Sequence, residues 1–329
     1  MKIIYSAKHD LIFENYGVMI PIVHNRAERV FLEQQKLDSH LEEIKEESIP
    51  NIEIDDLKLV HQAKYVEELF DSYHHLEYHM LKTYELIDSN GNYHRYDPSL
   101  AKFDFSHALK TILKQVGLTY YAAKLALSEK EVYYLGGGMH HAMTDIGRGF
   151  CLVNDVAIAI RKLQNEKLIQ KAWIIDVDAH KGDGAAEIFK HDNSVVTFSI
   201  HMQEGWPLNT GSVRDPWFIP SNIDIGIGLG EDDRYIEKLQ MGLLELKEKY
   251  PRPDLVFVVQ GADPYELDEL ESANLLKLSK AQMLQRDKLV YEFIKTMQLP
   301  QVYVMAGGYG HHSYEIYDQF LKFVRQSSS

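Results

Sequence analysis

The sequence has little of several features, and each shortage excludes a class of protein. Cys151 is the only cysteine among 329 residues, so an intrachain disulfide is impossible and we expect a reducing, intracellular and cytoplasmic setting. No segment approaches the roughly 18 uninterrupted apolar residues of a membrane-spanning helix, so we expect no membrane partner. The first residues, MKIIYSAKHD, become charged too early for a secretory signal.

Positive charge is also scarce. Lys and Arg together number 35 against 49 Asp and Glu, which gives a formal net charge of −14. Proteins that bind nucleic acid usually present a basic face, so we expect no nucleic-acid partner. The acidic balance fits a cationic partner such as a lysine-rich tail or a polyamine. It fits equally well a charge that only maintains solubility.

The chain contains no internal repeat, low-complexity tract or linker rich in Pro, Gly and Ser, which predicts a single domain over residues 1–329. Its second half alternates short apolar runs with segments of helical periodicity. This pattern is typical of an α/β fold, with a central, mostly parallel sheet flanked by helices on both faces. The predicted strands are the N-terminal run, VYYLGG, AWIIDVD, VVTFSIH, NIDIGI, LVFVVQGAD and VYVMAGGYG. The predicted helices are 27–47, 60–72, 106–129, 154–169, 183–190, 232–250 and 279–298, and a loop is predicted over 86–103.

Reactive side chains follow several of the predicted strands. In parallel sheets of this kind, sites form beyond the carboxyl ends of the strands. Asp178, His180 and Asp263 offer two carboxylates and an imidazole, a set of three ligands that leaves one position open on a catalytic zinc ion. The other reactive residues at these strand ends are His140 and His141 of GGGMHHA, Asp176 and Asp183 of DVDAHKGDG, and Tyr309 of AGGYG.

Each of these residues also has an ordinary structural interpretation when it is taken alone. An aspartate at a strand end often caps a helix or forms a turn, and Asp183 stands at the start of a predicted helix. His140 and His141 could be polar loop residues, and the glycines of AGGYG could serve only a tight turn. Their joint position at one edge of the predicted sheet favours a functional site.

Six motifs resemble those of the zinc-dependent histone deacetylase family, whose members are relatives of arginase. The motifs are GGGMHHA, GRGFCLVND, IIDVDAHKGDG, VVTFSIH, VVQGAD and AGGYG, and they occur in the family's order over roughly residues 130–310. Weaker similarity extends upstream through HNRAERV and VHQAKYVEEL. The resemblance implies the arginase/deacetylase fold, with a sheet of the eight-stranded type, and an enzyme that hydrolyses N-acetyl amides.

The resemblance also implies a metal centre. Asp178, His180 and Asp263 would hold one Zn²⁺ ion, which would bind water and the acetyl carbonyl. Tyr309 would donate its hydroxyl to the oxyanion of the tetrahedral intermediate. Some relatives carry histidine at the tyrosine position and are poor catalysts on ordinary acetyl-lysine, so the tyrosine here implies an active enzyme.

The adjacent histidines would form the family's catalytic pair. His141 would act first as general base and then as general acid, while His140 would mainly supply electrostatic stabilisation and hydrogen bonds. Asp176 would bind His140 and Asp183 would bind His141, so that each carboxylate fixes the tautomer and orientation of one ring.

Further positions would line a substrate channel. Phe150 of GFC matches a family residue that walls the narrow acyl-lysine channel, and Gly149 beside it would leave space for the substrate. Trp206 in MQEGWPLNTGS is the candidate for the opposite wall, although it could equally serve ordinary packing. Asp97 in RYDPSL could match a rim aspartate that grips the substrate backbone, or it could be a turn residue.

Two other sites are implied near the zinc. Arg26 could match a family arginine beside the internal cavity through which acetate leaves, and Arg29 competes for that role. Family members also bind a structural monovalent cation, K⁺, beside the metal-ligand loop, partly through backbone carbonyls. The potassium site would involve Asp176, Asp178, His180, Ser199 and Ile200.

Three other functions can be weighed against this interpretation. Arginase chemistry would require aspartates two residues after His180 and after Asp263, where the chain has Gly182 and Tyr265. Acetylpolyamine amidohydrolases share the core motifs, and the acidic run at 264–272 could attract a polyamine or could be a solvated helix start. A noncatalytic acyl-lysine reader should have lost a ligand, a histidine or the tyrosine, and all are kept. We therefore interpret the chain as a zinc-dependent amidohydrolase acting on acetylated lysine side chains of proteins, or alternatively on acetylated small amines, with its oligomeric state left open.

Overall fold

A parallel sheet forms the centre of the protein. The computed structural model describes residues 1–20, 22–23, 25–208, 210 and 214–327. The strands within these residues are β1 (Lys2–Ile4), β2 (Glu131–Tyr134), β3 (Ala172–Asp176), β4 (Val195–Met202), β5 (Ile223–Ile227), β6 (Leu255–Gln260) and β7 (Gln301–Met305). They form one sheet in the order β1-β2-β7-β6-β3-β4-β5, and every neighbouring pair is parallel.

Helices cover both faces of the sheet. They are α1 (Arg26–Gln35), α2 (Ile54–Lys58), α3 (Ala63–Asp71), α4 (Tyr73–Thr83), α5 (Phe105–Glu129), α6 (Asp155–Asn165), α7 (Asp183–Phe189), α8 (Tyr235–Lys249), α9 (Lys280–Thr296) and α10 (Ser313–Gln326). Helices α3 to α6 contribute to the core on one face, and α1, α8, α9 and α10 contribute to the core on the other. In the described part of the chain, no helix is long and apolar enough to cross a membrane.

Strands β2, β3, β6 and β7 are largely apolar because each contributes side chains to both cores. On β3, Ile174 joins one core, while Trp173 and Ile175 join the other, as the alternation of side chains along a strand requires. The predicted α/β fold with helices on both faces is confirmed. The sheet differs in detail from the expectation, because the described residues form seven strands rather than eight and no pair is antiparallel.

The predicted helix over 27–47 is correct up to Gln35 and wrong after it. Helix α1 ends at Gln35. Farther along, the Ile44 N–H donates to the Tyr5 carbonyl at 2.9 Å, which ties this segment to the chain just after β1 instead of continuing the helix. A backbone contact of this kind overrides a charged helical pattern that has little apolar surface to bury.

Other local features also differ from expectation. Helices α4 and α10 were not predicted, although Ile316, Phe320 and Val324 of α10 recur every fourth residue and are buried. The acidic run at 264–272 is no helix start of the usual kind, because its only helical element is the short 3₁₀ turn at Glu271–Ala273.

Candidate active site

The carboxyl ends of β2, β3, β6 and β7 carry most of the predicted site residues. These four strands lie side by side in the sheet, so the loops that follow them meet at one edge. That edge is where the chain changes from buried apolar strand to polar loop. The residues brought together there are His140, His141, Asp176, Asp178, His180, Asp183, Asp263 and Tyr309.

Asp178, His180 and Asp263 form a buried cluster whose candidate ligand atoms all lie within 4.8 Å of one another. His180 Nδ1 lies 3.2 Å from Asp178 Oδ1 and 3.0 Å from Asp263 Oδ2. A Cβ atom at Gly261 or Gly307 would collide with both carboxylates, so the surrounding backbone needs glycine to come this close. Two carboxylates and one imidazole in this spacing fit a divalent cation such as zinc that keeps an open position.

Arg286 supports both ligand loops from beneath. Its side chain is fully buried, and Nη1 donates to the Val177 carbonyl at 2.9 Å and to the Gly261 carbonyl at 2.7 Å. Val177 directly precedes one candidate ligand, and Gly261 lies two residues before another. Asp287, also buried, balances the charge with an oxygen 2.7 Å from Nη2. Arg286 was not predicted from the sequence, where it resembles any other charged residue on a helix.

The tandem histidines each bind one carboxylate. His140 Nδ1 lies 2.6 Å from Asp176 Oδ2, and His141 Nδ1 lies 2.7 Å from Asp183 Oδ1. The two ring centroids are 3.9 Å apart. A proton on each Nδ1, donated to its carboxylate, leaves Nε2 of each ring available for other chemistry. The structure thus brings together the four residues that the sequence paired.

The two imidazoles differ in their affinity for a proton. Burial opposes a charge on His140, but the carboxylates of Asp176 and Asp178 outweigh it and raise the pKa of His140 to about 9. Burial and the neighbouring charge of His140 lower the pKa of His141 to about 3, against the pull of Asp183. Of the two rings, His140 therefore holds a proton more tightly, and His141 favours the neutral form that can accept a proton.

Asn154 and Asp155 hold the loop that carries the histidines. The Asn154 Nδ2 donates to the carbonyls of His140 and Ala142 at 3.4 and 3.2 Å, and its Oδ1 caps α6. The Asp155 carboxylate accepts two N–H groups of the glycine-rich loop at 3.0 and 2.7 Å. No role was predicted for Asn154 or Asp155, although an Asn before an apolar helix is a recognisable cap.

Tyr309 lies beside the cluster of Asp178, His180 and Asp263 and lines two adjoining cavities. Its N–H donates to Asp268 Oδ2 at 2.7 Å, which fixes the backbone from which the ring projects. Burial raises the pKa of the Tyr309 hydroxyl well above its usual value. The group therefore stays protonated and can donate a hydrogen bond.

The outer cavity has a volume of about 500 Å³ and reaches His141 and Tyr309 from the surface. Phe150, Trp206 and Gly149, the three predicted channel residues, all line it. Gly149 has a φ of +56°, and a Cβ there would collide with Trp206 and with the His141 ring. A side chain at Gly149 would therefore disturb both the wall and the histidine pair.

The inner cavity, of about 160 Å³, adjoins the cluster and is lined by Asp178 and His180. Arg26 lines it and donates to the carbonyls of Gly308 and Ala306 at 2.5 and 2.7 Å. Arg29 does not line it and instead stacks over the Tyr314 ring at 3.6 Å. Of the two arginines considered from the sequence, Arg26 is therefore the one beside this cavity.

The remaining predictions concern the rim residue Asp97 and the potassium site. Asp97 Oδ1 accepts the Ser99 N–H and hydroxyl at 2.9 and 2.6 Å, and Asp97 is not among the described residues that line either cavity. Its observed contacts are those of a turn residue. Ser199 and Ile200 lie on β4, and Ser199 pairs in register with Asp176, so the predicted potassium residues are neighbours in space.

Comparison with known proteins identifies close similarity to one family. The histone deacetylase domain family matches residues 21–322. Histone deacetylase 2 of Arabidopsis thaliana is 29% identical over 317 residues, which is 94% of this chain and 74% of that protein. An uncharacterized protein of Picosynechococcus is 35% identical over 205 residues, which is 62% of this chain and 64% of that protein. The chain thus matches less than two thirds of this second relative.

Solved structures share the fold. The acetylpolyamine aminohydrolase from Burkholderia pseudomallei superposes with a TM-score of 0.71 at 20% sequence identity. The superposition covers 98% of this chain and 98% of that one. At this level of identity, the similarity establishes the architecture and leaves the substrate to be argued from the site.

Proposed function

The chain belongs to the histone deacetylase family, and we propose that it is a zinc-dependent amidohydrolase that removes acetyl groups from ε-N-acetyl-lysine side chains of proteins. The observation that carries this proposal is the buried cluster of Asp178, His180 and Asp263, whose His180 lines the outer cavity together with Phe150 and Trp206. Beside the cluster stand the tandem histidines, of which His141 has the lower pKa, and a protonated tyrosine. Together they can activate water and stabilise an oxyanion.

The metal ligands in this proposal are Asp178, His180 and Asp263. Zinc bound there would supply Lewis acidity, which lowers the pKa of water and polarises an amide carbonyl. The carboxylates are held for this task by the backbone, because Asp178 Oδ2 accepts the Gly307 N–H at 2.9 Å and Asp263 Oδ1 accepts the Ala179 N–H at 3.0 Å. Each carboxylate keeps lone pairs for a cation.

The protein's own side chains would move the protons. Neutral His141 takes a proton from the attacking water and later gives it to the leaving amine, while Asp183 keeps its Nδ1 protonated. Charged His140 and the Tyr309 hydroxyl stabilise the negative charge that develops on the carbonyl oxygen. Phe150 and Trp206 line the path of the aliphatic stem and exclude water from it.

A second substrate class is favoured by the mouth of the outer cavity. Glu85, Glu269 and Glu271 line it, with Arg95 as the one cation among the described lining residues. Three carboxylates against one guanidinium favour a substrate that carries further positive charge, such as an acetylated polyamine. This alternative uses the same catalytic residues and differs only in what lies outside the channel.

The two substrate classes can be separated directly. Metal-stripped enzyme, reconstituted with zinc, should be assayed on an acetyl-lysine peptide and on acetylated spermidine and putrescine. A higher kcat/KM on the peptide would support the protein deacetylase, and preference for the polyamines would move the function to small amines. Binding of acetyl-lysine without any turnover in the zinc-loaded protein would contradict both and indicate a noncatalytic reader.

We also propose a structural potassium ion at Asp176, Asp178, His180, Ser199 and Ile200. The proposal is supported by the register that pairs β3 with β4 beside the metal-ligand loop. Thermal unfolding in KCl and in tetramethylammonium chloride of equal ionic strength tests it. Equal melting temperatures in the two salts would contradict a specific potassium site.

A further inference from the structure

A closed ring of four side chains links the wall of the outer cavity to the proposed general base. The Arg148 guanidinium carbon lies 5.1 Å from the Trp206 ring centroid, and Trp206 meets the His141 ring edge to face at 4.5 Å. His141 binds one oxygen of Asp183 at 2.7 Å, and Arg148 Nη1 lies 3.1 Å from the other oxygen. Arg148 therefore contacts both Trp206 and Asp183, which closes the cycle of contacts.

Both the backbone and the guanidinium of Arg148 are held in place. Its N–H donates to the Cys151 carbonyl at 3.0 Å, and its carbonyl accepts the Cys151 N–H at 2.9 Å, which fixes the backbone. The guanidinium carbon also lies 4.7 Å from the Trp217 ring centroid, so the cation contacts two indole rings. Only 16% of the Arg148 side chain is exposed.

Gly149, the residue next to Arg148, fixes one side of this ring of contacts. Trp206 and His141 pack against Gly149 so closely that a Cβ there would collide with both. The indole and the imidazole are therefore held together on this side, while the other side of Trp206 faces the outer cavity.

We propose that Arg148 is a positioning residue, which holds Trp206 as the channel wall and Asp183 as the anchor of His141 at the same time. The inference rests on the proposed function, because the wall and the base have these roles only in that reaction. Arginine suits the position better than lysine, since a planar guanidinium can lie over the indole rings while its edge reaches the carboxylate.

Kinetics of two substitutions should separate the two contacts. Arg148→Met removes both, so we expect KM to rise about five-fold, the scale of a lost cation–π contact. We expect kcat to fall about ten-fold, because loss of the ion pair with Arg148 loosens the Asp183 carboxylate that orients His141. Arg148→Lys keeps a positive charge for Asp183 but cannot stack flat, so KM should rise as before while kcat stays within about two-fold of wild type.

A spectroscopic readout is independent of activity. The chain has three tryptophans, so protein labelled with 5-fluorotryptophan gives three ¹⁹F resonances that single Trp→Phe variants assign. Both Arg148 variants should shift the Trp206 and Trp217 resonances. The resonance of Trp173, which lies on β3 and is buried in the core, should stay in place.

Arg161→Met is the matched control. Arg161 also lies over an aromatic ring, Phe189 at 4.8 Å, and pairs with a carboxylate, Asp192, but it is not among the residues that line either cavity. Its loss should leave KM, kcat and the Trp206 resonance unchanged.

The outcomes distinguish this proposal from the proposed function. An unshifted Trp206 resonance, or kinetics of the Arg148 variants equal to those of Arg161→Met, in an enzyme that is otherwise active would overturn the role of Arg148 alone. A wild-type enzyme that hydrolyses no acylated amine would overturn the proposed function and the positioning role with it. If Arg148→Met fails to fold, Arg148→Lys carries the test, because it retains the charge opposite Asp183.

Discussion

Arg286 provides the sharpest test of how the metal cluster is held. Arg286→Met leaves Asp287 buried without its partner, and breaking a buried ion pair in this way costs about 3–5 kcal/mol. That loss is a large part of the about 5–15 kcal/mol that stabilises a typical domain. The single variant is therefore expected to be marginally folded and uninformative about zinc.

The double substitution Arg286→Met with Asp287→Leu removes the unpaired charge. Replacing both members of a buried pair by apolar residues is often neutral or stabilising by about 1–4 kcal/mol. Against this, the carbonyls of Val177 and Gly261 lose their shared donor, at about 1–3 kcal/mol each. The double variant should thus unfold within a few kcal/mol of wild type, while the two ligand loops lose their common support. We expect its zinc affinity to fall about 10- to 100-fold, the scale of losing a residue that orients metal ligands.

Two measurements suffice for this prediction. Urea unfolding of the metal-free proteins gives the stability, and competition with a chromophoric chelator gives the dissociation constant for zinc. Gln34→Met with Asp318→Leu is the control, because this pair forms a buried hydrogen bond of 2.9 Å between α1 and α10, far from the ligands. Wild-type zinc affinity in the Arg286/Asp287 variant would refute the idea that Arg286 holds the cluster.

Two further predictions address catalysis and acid stability. Tyr309→Phe should lower kcat by about two to three orders of magnitude while zinc stays bound. Asp178→Ala should lose zinc as well as activity. Near-normal turnover of Tyr309→Phe would remove the hydroxyl from the mechanism. Burial lowers the pKa of His61 to about 4, so the folded protein favours the neutral ring. The contribution of neutral His61 to stability is complete above about pH 6.5, the pKa of an unfolded histidine. It is lost as pH falls towards 4, and the loss amounts to about 3 kcal/mol. His61→Asn, which can still donate to the Met143 carbonyl, should flatten urea midpoints measured across this pH range, and an unchanged slope would contradict the assignment.

Site residues that directly follow a strand in the sequence were predictable from the sequence. The strand that ends at Asp176 is apolar on both faces, so the reactive residues of DVDAHKGDG had to lie at its carboxyl end. The residues that hold this segment could not be found in the same way. Arg286 meets Val177 across 109 positions of sequence, and it lies on a helix where a charged residue usually faces solvent. Which helix reaches beneath the ligand loops depends on the packing of the whole face.

The two carboxylates that bind the tandem histidines are alike in sequence and differ in what they bind next. The second oxygen of Asp176 accepts the Asp178 N–H at 3.1 Å, so Asp176 is tied to the metal-ligand loop. The second oxygen of Asp183 faces Arg148 at 3.1 Å, so Asp183 is tied to the channel wall. We therefore expect Asp176→Asn to weaken zinc binding about 10-fold in addition to slowing turnover, since it perturbs the loop that presents a ligand.

Asp183→Asn should leave zinc binding unchanged and lower kcat at saturating zinc, because an amide no longer fixes the His141 tautomer. Chelator competition and steady-state kinetics on both variants measure the difference. Equal losses of zinc affinity in the two variants would show that the carboxylates act as one buried charge rather than as separate supports. A selective loss in Asp176→Asn would assign one histidine to the metal side of the site and the other to the substrate side.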